Sequence, residues 1–255
     1  MVLCDHASNA LPPGYGTLGL PPEQFQRHIA YDIGAEGVAR RLAARLEAPA
    51  VLNCWSRLLI DPNRGTDDPT LVMQLSDGAV VPGNAGLSEA ERARRIALFH
   101  EPYHRAIAES LAEGLAAGRP PVILSVHSFT PAWKGEPRPW HIALLWDKDP
   151  RMVRPLLAEL ARDKTLVVGE NEPYTGKLRN DCLYRHGTQR GLAHALIEIR
   201  QDLIASEAGQ TEWADRLAKA VETVLASQAD GELHTVRFFG SHTDKGPQTT
   251  AEDMT

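Results

Sequence analysis

The chain has 255 residues, of which 43% are hydrophobic and 24% charged, as in an ordinary folded globular protein. Its formal net charge of −6 argues against general binding to nucleic acid or anionic membranes, although a pocket could still hold a small anionic substrate. The three cysteines are isolated and form no CxxC pair, which excludes a disulfide framework.

The start of the sequence has no basic region and no small-residue cleavage site. No apolar run approaches the roughly 20 residues that a membrane-spanning helix needs. We therefore expect a cytoplasmic protein that does not bind membranes.

Short apolar runs bounded by turn residues predict strands at residues 2–6, 50–60, 122–127, 140–146, 165–168 and 193–199. Apolar residues at helical spacing predict helices at residues 23–47, 88–117, 151–162 and 211–227. Ser88 and Glu91 match a capping box at the start of the second helix. The stretches 65–87 and 169–191 show no clear period, which is typical of long functional loops.

Strands that alternate with helices predict an α/β fold with a mixed or mostly parallel sheet. No repeat or linker divides the sequence, so we expect one domain over residues 1–239. The polar segment 240–255 predicts a frayed tail.

Four apolar runs lead directly into reactive side chains. They are Val2 to His6, Leu58 to Arg64, Val122 to His127, and Ala195 to Arg200. In open α/β folds the carboxyl ends of the strands line the ligand crevice. We therefore expect these four segments to converge on one site.

His6 and His127 each end an apolar run and are each followed by a small residue. One such histidine is more often structural, but two together favour a shared zinc ion, which needs three protein ligands and one open position. Three residues could supply the third ligand. Asp32 and, one turn further along, Glu36 offer carboxylates, whereas Asn9 offers only a neutral amide.

Glu198 has apolar neighbours on both sides, as in a strand that is covered on both faces. A carboxylate there needs a partner or a function, and beside a metal it could carry a proton. The alternative is an outward-facing position on a half-exposed strand.

Asn63 and Arg64 form a pair suited to holding a carboxylate, because a guanidinium group binds carboxylates bidentately. The alternative is a turn with a solvated arginine. Arg57 lies on the same segment and could add a second positive contact. His186 and Tyr174 lie in the polar segment 169–191 and are candidates for a substrate wall.

No Walker A motif, no GxGxxG after a strand and no GxSxG elbow occurs. The segments Cys4 to Asn9, Ser56 to Arg64, Ser125 to Phe129 and Gly176 to Glu198 together resemble the N-formylglutamate amidohydrolase family. The resemblance covers roughly residues 2–205.

This family is similar in fold to zinc carboxypeptidases, aspartoacylases and cell-wall amidases. The resemblance implies a three-layer α/β/α sandwich with a mixed, mostly parallel sheet, of the phosphorylase/hydrolase-like type. It also implies one Zn²⁺ ion, with His6 and His127 as ligands and Asp32 as the carboxylate supplied by the first helix. The glutamate of the carboxypeptidase HxxE motif is replaced here by Asn9.

The resemblance further implies that Asn63 and Arg64 grip the substrate carboxylate and that Glu198 is the general acid and base. We therefore expect a zinc amidohydrolase that acts on a small N-acyl amino acid such as N-formylglutamate. Two alternatives stay open: a zinc peptidase or muramoyl amidase that acts on a larger amide, and a binding protein without metal.

Overall fold

A mixed six-stranded sheet forms the centre of the protein, in a computed structural model that describes residues 1–227 and 231–244. In chain order the strands of the described residues are β1 (Val2–Cys4), β2 (Ala50–Leu52), β3 (Leu75–Ser76), β4 (Ala79–Val80), β5 (Ile123–Phe129), β6 (Ala132–Trp133), β7 (Glu136–Pro137), β8 (Ile142–Leu145), β9 (Val168–Glu170) and β10 (His194–Arg200). Strands β3 with β4, and β6 with β7, form two small hairpins.

The sheet has the strand order β2-β1-β5-β10-β8-β9. Its first four strands run parallel, whereas β8 is antiparallel to β10 and parallel to β9. The predicted mixed, mostly parallel sheet is therefore confirmed. The carboxyl ends of β1, β5 and β10 lie side by side at one edge of the sheet.

Helices cover both faces of the sheet. In chain order they are α1 (Ala35–Arg45), α2 (Glu89–Arg95), α3 (Glu101–Ala116), α4 (Val153–Leu160), α5 (Cys182–His186) and α6 (Glu207–Ser227). Helices α1, α4 and α6 pack on one face, and α3 and α5 on the other, as predicted for a three-layer α/β/α sandwich. Within residues 1–227 and 231–244, no helix combines the length and the apolar composition needed to span a bilayer.

The pleat of the strands divides the core into two layers. Val2 and Ile197 face α1 and α6, whereas Leu3 and Leu196 face α3 and α5. All four side chains are buried, so the continuous apolar runs in the sequence reflect burial on both faces of the sheet.

The helix predicted over residues 23–47 is wrong in its first half, because regular helix begins only at Ala35. Gly34 has a left-handed backbone with φ of 81°. A Cβ atom there would lie 2.1 Å from the carbonyl oxygen of Ile204. Before Gly34 the chain forms a short 3-10 helix at Pro22–Gln26 and then an irregular turn, which is the part of the chain that carries Asp32.

The strand predicted over residues 50–60 is also too long, because β2 ends at Leu52. Leu58, Leu59 and Ile60 are buried, but in turns that pack in a separate apolar cluster outside the sheet. A short apolar run does not distinguish a buried strand from a buried loop. The segment from Leu58 to Arg64 therefore reaches the site from a loop.

The helix predicted over residues 88–117 is confirmed, with one π-helical turn at Ile96–His100 between α2 and α3. The Ser88 side chain accepts a hydrogen bond from the Glu91 backbone N–H, as the capping box predicts. The predicted loops are less irregular than expected, since residues 65–87 contain the β3–β4 hairpin and residues 169–191 contain α5.

The tail predicted over residues 240–255 is anchored in its first residues. Ser241 is buried, and the Tyr184 hydroxyl donates to the Asp244 carboxylate at 2.8 Å. This hydrogen bond attaches the first residues of the segment to α5. Residues 245–255 lie outside the described residues.

We expect Leu42→Ala to lower the free energy of unfolding by about 2–5 kcal/mol, because Leu42 of α1 is fully buried in the core. Urea denaturation followed by circular dichroism measures this loss. The matched control is Leu75→Ala, since Leu75 is 61% exposed and its truncation should change stability by less than about 0.5 kcal/mol. Equal losses for the two variants would contradict the packing of α1 described here.

Candidate metal centre and active site

Two histidines and one aspartate meet at the carboxyl edge of the sheet. His6 follows β1, His127 lies in β5, and Asp32 lies in the turn before α1. The Asp32 Oδ2 atom is 3.2 Å from His6 Nδ1 and 2.8 Å from His127 Nδ1. All three residues are buried.

The chemistry and spacing of these three residues suit a zinc ion. Two imidazole nitrogens and one carboxylate form the ligand set of a catalytic zinc site with an open position. Zinc–ligand bonds of about 2.1 Å in tetrahedral geometry place the ligand atoms about 3.4 Å apart. The contacts of 2.8 and 3.2 Å are close to this spacing, so the three side chains would need little rearrangement to bind an ion between them.

The other two candidates for the third ligand lie elsewhere. Asn9 donates its amide to the carbonyl of Phe25 at 2.8 Å. Glu36 accepts a hydrogen bond from Arg40 at the surface of α1. Of the three alternatives, the structure therefore brings only Asp32 to the two histidines.

Asp5 and Asp61 hold the far side of the two imidazole rings. His127 Nε2 lies 2.8 Å from Asp5 Oδ2, and His6 Nε2 lies 2.8 Å from Asp61 Oδ1. Carboxylates in this position hold the protons on Nε2, so that Nδ1 is the nitrogen that can bind a metal ion. Sequence reasoning missed both residues, although Asp5 precedes His6 and Asp61 precedes Pro62 in segments that it selected.

Asp5 is itself held in place by α3 and β5. Its carboxylate accepts hydrogen bonds from the Tyr103 hydroxyl at 2.8 Å and from the Ser125 hydroxyl at 3.1 Å. The layer of polar contacts behind His127 therefore extends into the sheet and into the helix that covers it.

The pKa values show how strongly these charges interact. Burial raises the pKa of the Asp32 carboxyl, but the charge on His6 and hydrogen bonds from His127 outweigh burial and hold this pKa well below its usual range. Burial lowers the pKa of His127, but its hydrogen bonds to Asp32 and Asp5 raise this pKa well above its ordinary value. The carboxylates thus stabilise positive charge at the position where a metal ion would lie.

Arg57 joins the two buried aspartates beside the histidines. Its guanidinium donates to Asp61 Oδ2 at 2.7 Å and lies 3.5 Å from Asp32 Oδ1. Arg57 lines the cavity, but much of its charge is compensated by these carboxylates. Arg57 therefore organises the buried carboxylates of the site and also faces the cavity.

Glu198 lies beside His127 on the neighbouring strand. The two residues are register partners in the β5–β10 pair, so their side chains leave the sheet on the same face. Burial raises the pKa of Glu198 to about 7 against the opposing charge of His127. Its Oε2 atom is buried and makes no hydrogen bond within the described part of the chain.

Asn63 and Arg64 line the same cavity from the loop after Asp61. The Asn63 Oδ1 atom accepts the backbone N–H of Cys182 at 3.1 Å, which leaves its amide nitrogen as the donor. The Arg64 Nε atom is buried and has no hydrogen-bond partner among residues 1–227 and 231–244. A buried donor of this kind favours an anionic ligand.

Tyr174 and His186 have different positions. Tyr174 lines the cavity, and its hydroxyl accepts a hydrogen bond from Arg138 at 3.1 Å. The placement of His186 at the substrate wall is wrong, because α5 turns this residue away from the cavity. His186 is 1% exposed and packs against His104.

The cavity has a volume of about 630 Å³, within the range of sites for small organic ligands. The three candidate metal ligands, Glu198, Asn63 and Arg64 all line it. Residues of the two hairpins and of the 169–178 segment form its outer walls. The arrangement thus places the three candidate metal ligands, the buried Glu198 carboxylate and the donor groups of Asn63 and Arg64 around one space.

Comparison with known proteins identifies the family. The model of the N-formylglutamate amidohydrolase family matches residues 1–205, most of the chain. The chain therefore belongs to the N-formylglutamate amidohydrolase family, as its motifs predict, and is an amidohydrolase. A search of curated proteins found no match.

Three solved structures are similar to this chain to different degrees. A gene product of Agrobacterium tumefaciens is 38% identical, with a TM-score of 0.85 over 89% of this chain and 90% of that chain. An N-formylglutamate amidohydrolase from Ralstonia eutropha JMP134 is 23% identical, with a TM-score of 0.59 over 90% and 92% of the two chains. An N-acetylmuramoyl-L-alanine amidase from Clostridium difficile 630 is 12% identical, with a TM-score of 0.42 over 89% and 97%.

We expect Arg57→Met to lower the free energy of unfolding of the metal-free protein by about 3 kcal/mol, because it leaves the buried carboxylates of Asp61 and Asp32 without their cation. Urea denaturation at pH 7 measures the loss. Arg40→Met is the control, since Arg40 pairs with Glu36 on the exposed face of a helix and should contribute less than about 0.5 kcal/mol. A similar small loss for Arg57→Met would contradict the role given to its guanidinium.

Proposed function

We propose that the protein is a zinc-dependent amidohydrolase that cleaves the amide bond of a small N-acyl amino acid such as N-formylglutamate. The observation that carries this proposal is the position of Glu198 beside the His6, Asp32 and His127 cluster in one cavity. Its Oε2 atom has no hydrogen-bond partner in the described part of the chain. Membership of the N-formylglutamate amidohydrolase family supports the reaction class.

His6 Nδ1, His127 Nδ1 and Asp32 Oδ2 would hold the zinc ion. When bound, the ion supplies Lewis-acid polarisation of the scissile carbonyl and lowers the pKa of the attacking water. Asp5 and Asp61 keep the two imidazoles in the orientation that this binding needs.

Glu198 carries the proton in this reaction. Because its pKa is near 7, the carboxylate can accept a proton from water and the acid can release it again at neutral pH. The proton is taken up at the free Oε2 atom and is then delivered to the departing amine nitrogen, which leaves as a neutral amine.

Arg64 and Asn63 bind the carboxylate of the substrate. The guanidinium fork of Arg64 and the amide of Asn63 face the same cavity and provide donors for a single anionic group. Anchoring the carboxylate at one end of the cavity orients the amide towards Glu198 and lowers the entropic part of the barrier.

A larger amide is the second candidate substrate. The cavity volume of about 630 Å³ is typical of sites for drug-sized ligands, and its walls include Met73, Phe129 and Trp133. A zinc peptidase or a muramoyl amidase would use the same machinery with these walls as additional contacts.

Formate release from N-formylglutamate tests the proposal. Protein purified without chelator should release formate, chelation should abolish the activity, and one equivalent of zinc should restore it. N-acetyl amino acids and short peptides are assayed in parallel. Cleavage of peptides alone would favour the second candidate, whereas hydrolysis of no amide at any zinc concentration would indicate a binding protein and overturn the proposal.

Glu198→Gln should lower kcat by about 10²–10⁴-fold, because it removes the proton carrier and preserves the shape of the side chain. Its zinc stoichiometry should equal that of the unchanged protein, as measured by mass spectrometry of the metal. Glu36→Gln is the matched control and should retain full activity, since Glu36 lies at the surface of α1. Near-normal turnover by Glu198→Gln would remove Glu198 from this role.

A further inference from the structure

A second group of histidines lies behind the cavity and does not line it. His100 and His104 lie one turn apart on the π turn and α3, and His186 ends α5. His186 Nε2 is 2.9 Å from His104 Nδ1, and the planes of these two rings differ by 19°. All three side chains are 1% exposed.

The outer ends of this group contact the backbone of the loop that carries Asn63 and Arg64. His104 Nε2 is 3.0 Å from the carbonyl oxygen of Pro62, and His100 Nε2 is 2.9 Å from the carbonyl oxygen of Arg64. The two carbonyls flank Asn63. The histidines therefore hold the loop on the side opposite the cavity.

These contacts determine where each proton lies. A carbonyl oxygen only accepts, so the Nε2 atoms of His104 and His100 carry protons. In a neutral His104 ring, Nδ1 then accepts, and it receives the Nε2 proton of His186. The 3.2 Å approach of His100 Nε2 to His104 Nε2 is not a hydrogen bond, because both protons point to carbonyls.

The remaining ring nitrogens agree with this assignment. Nδ1 of His186 and Nδ1 of His100 are buried and have no hydrogen-bond partner among the described residues. This is the expected state of a bare nitrogen, because a buried N–H without an acceptor would be costly.

Burial also keeps the rings neutral. Burial lowers the pKa of His104 to about 2, and burial with Arg190 and Arg185 lowers that of His186 to about 3. Burial lowers the pKa of His100 as well, against the opposing effect of Glu101, which lies 3.6 Å from its Nδ1.

Three further hydrogen bonds hold this loop, and none of the three involves α3. Asp61 Oδ1 accepts the backbone N–H of Asn63 at 2.9 Å, and Asn63 Oδ1 accepts the N–H of Cys182 at the start of α5. The Arg64 guanidinium and the Asn63 amide nitrogen are left to bind a ligand. The Arg64 backbone is held by its N–H, which donates to the Asp61 carbonyl at 3.2 Å, and by its carbonyl, which His100 contacts.

We propose that His100, His104 and His186 form a chain of neutral imidazoles that positions the Asn63–Arg64 backbone and thereby sets the affinity for the substrate carboxylate. The three histidines are positioning residues, because none of them touches the cavity. The inference rests on the proposed function in one respect, that Asn63 and Arg64 bind a carboxylate.

His100→Leu and His100→Gln test the chain. The leucine variant removes the donor to the Arg64 carbonyl, so KM for N-formylglutamate should rise about tenfold, the effect of one lost buried hydrogen bond. Its kcat should stay within about twofold and its zinc content should be unchanged. The glutamine variant offers an amide N–H near the position of Nε2 and should restore KM to within about twofold of the unchanged protein.

The diamide of N-formylglutamate separates positioning from a general loss of structure. Because this substrate lacks carboxylates, its kcat/KM should be the same in the His100→Leu variant and in the unchanged protein. Equal losses on both substrates, or an unchanged KM for N-formylglutamate in His100→Leu, would overturn the inference.

The imidazole ¹⁵N shifts of the unchanged protein give a readout that needs no variant. His100, His104 and His186 should each remain the Nε2–H tautomer from pH 5 to pH 9. An Nδ1–H tautomer at His104, or protonation of any of the three above pH 5, would overturn the chain.

Calorimetric binding of L-glutamate separates this inference from the proposed function. A protein that releases no formate would overturn the proposed function alone, and L-glutamate should then still bind about tenfold more weakly to His100→Leu than to His100→Gln. Equal binding to the two variants would overturn the inference even in an active enzyme.

Discussion

The contact of one carboxylate oxygen with two imidazoles is the interaction around which the site is arranged. Asp32 Oδ2 lies 3.2 Å from His6 Nδ1 and 2.8 Å from His127 Nδ1, with all three residues buried. Buried charges are costly unless each has a partner of opposite sign. Asp5 and Asp61 meet this requirement behind the imidazoles, and Arg57 meets it beside the carboxylates, so the removal of any one of these groups leaves another uncompensated.

The fold explains why these groups meet at one point. Gly34 delays the start of α1, and the Asp32 backbone N–H donates to the carbonyl of His6 at 2.9 Å in the turn that results. The β5–β10 pairing places Glu198 in register with His127. Main-chain hydrogen bonds therefore fix both the distance between the candidate ligands and the position of the proposed proton carrier, and catalytic geometry of this kind requires such rigid support.

The site residues that could be predicted from the sequence are those that lie in or beside buried apolar runs. His6, His127 and Glu198 lie in or after continuous apolar runs, and parallel strands bring the ends of such runs together. Asp5 and Asp61 were missed as ring partners because their contacts with His127 and His6 span 122 and 55 residues, which no local pattern reveals. His186 was misplaced because a polar, glycine-bearing segment suggests exposure, whereas the short helix α5 turns this side chain inward.

The position of a bound zinc ion tests this account most directly. Anomalous diffraction at the zinc edge, from crystals of the protein grown with one equivalent of zinc, would locate the ion. The account predicts one strong peak within bonding distance of His6 Nδ1, His127 Nδ1 and Asp32 Oδ2, at about 2.0–2.2 Å from each. No peak there, or a main peak among the buried residues His104, Cys182 and His186, would contradict it.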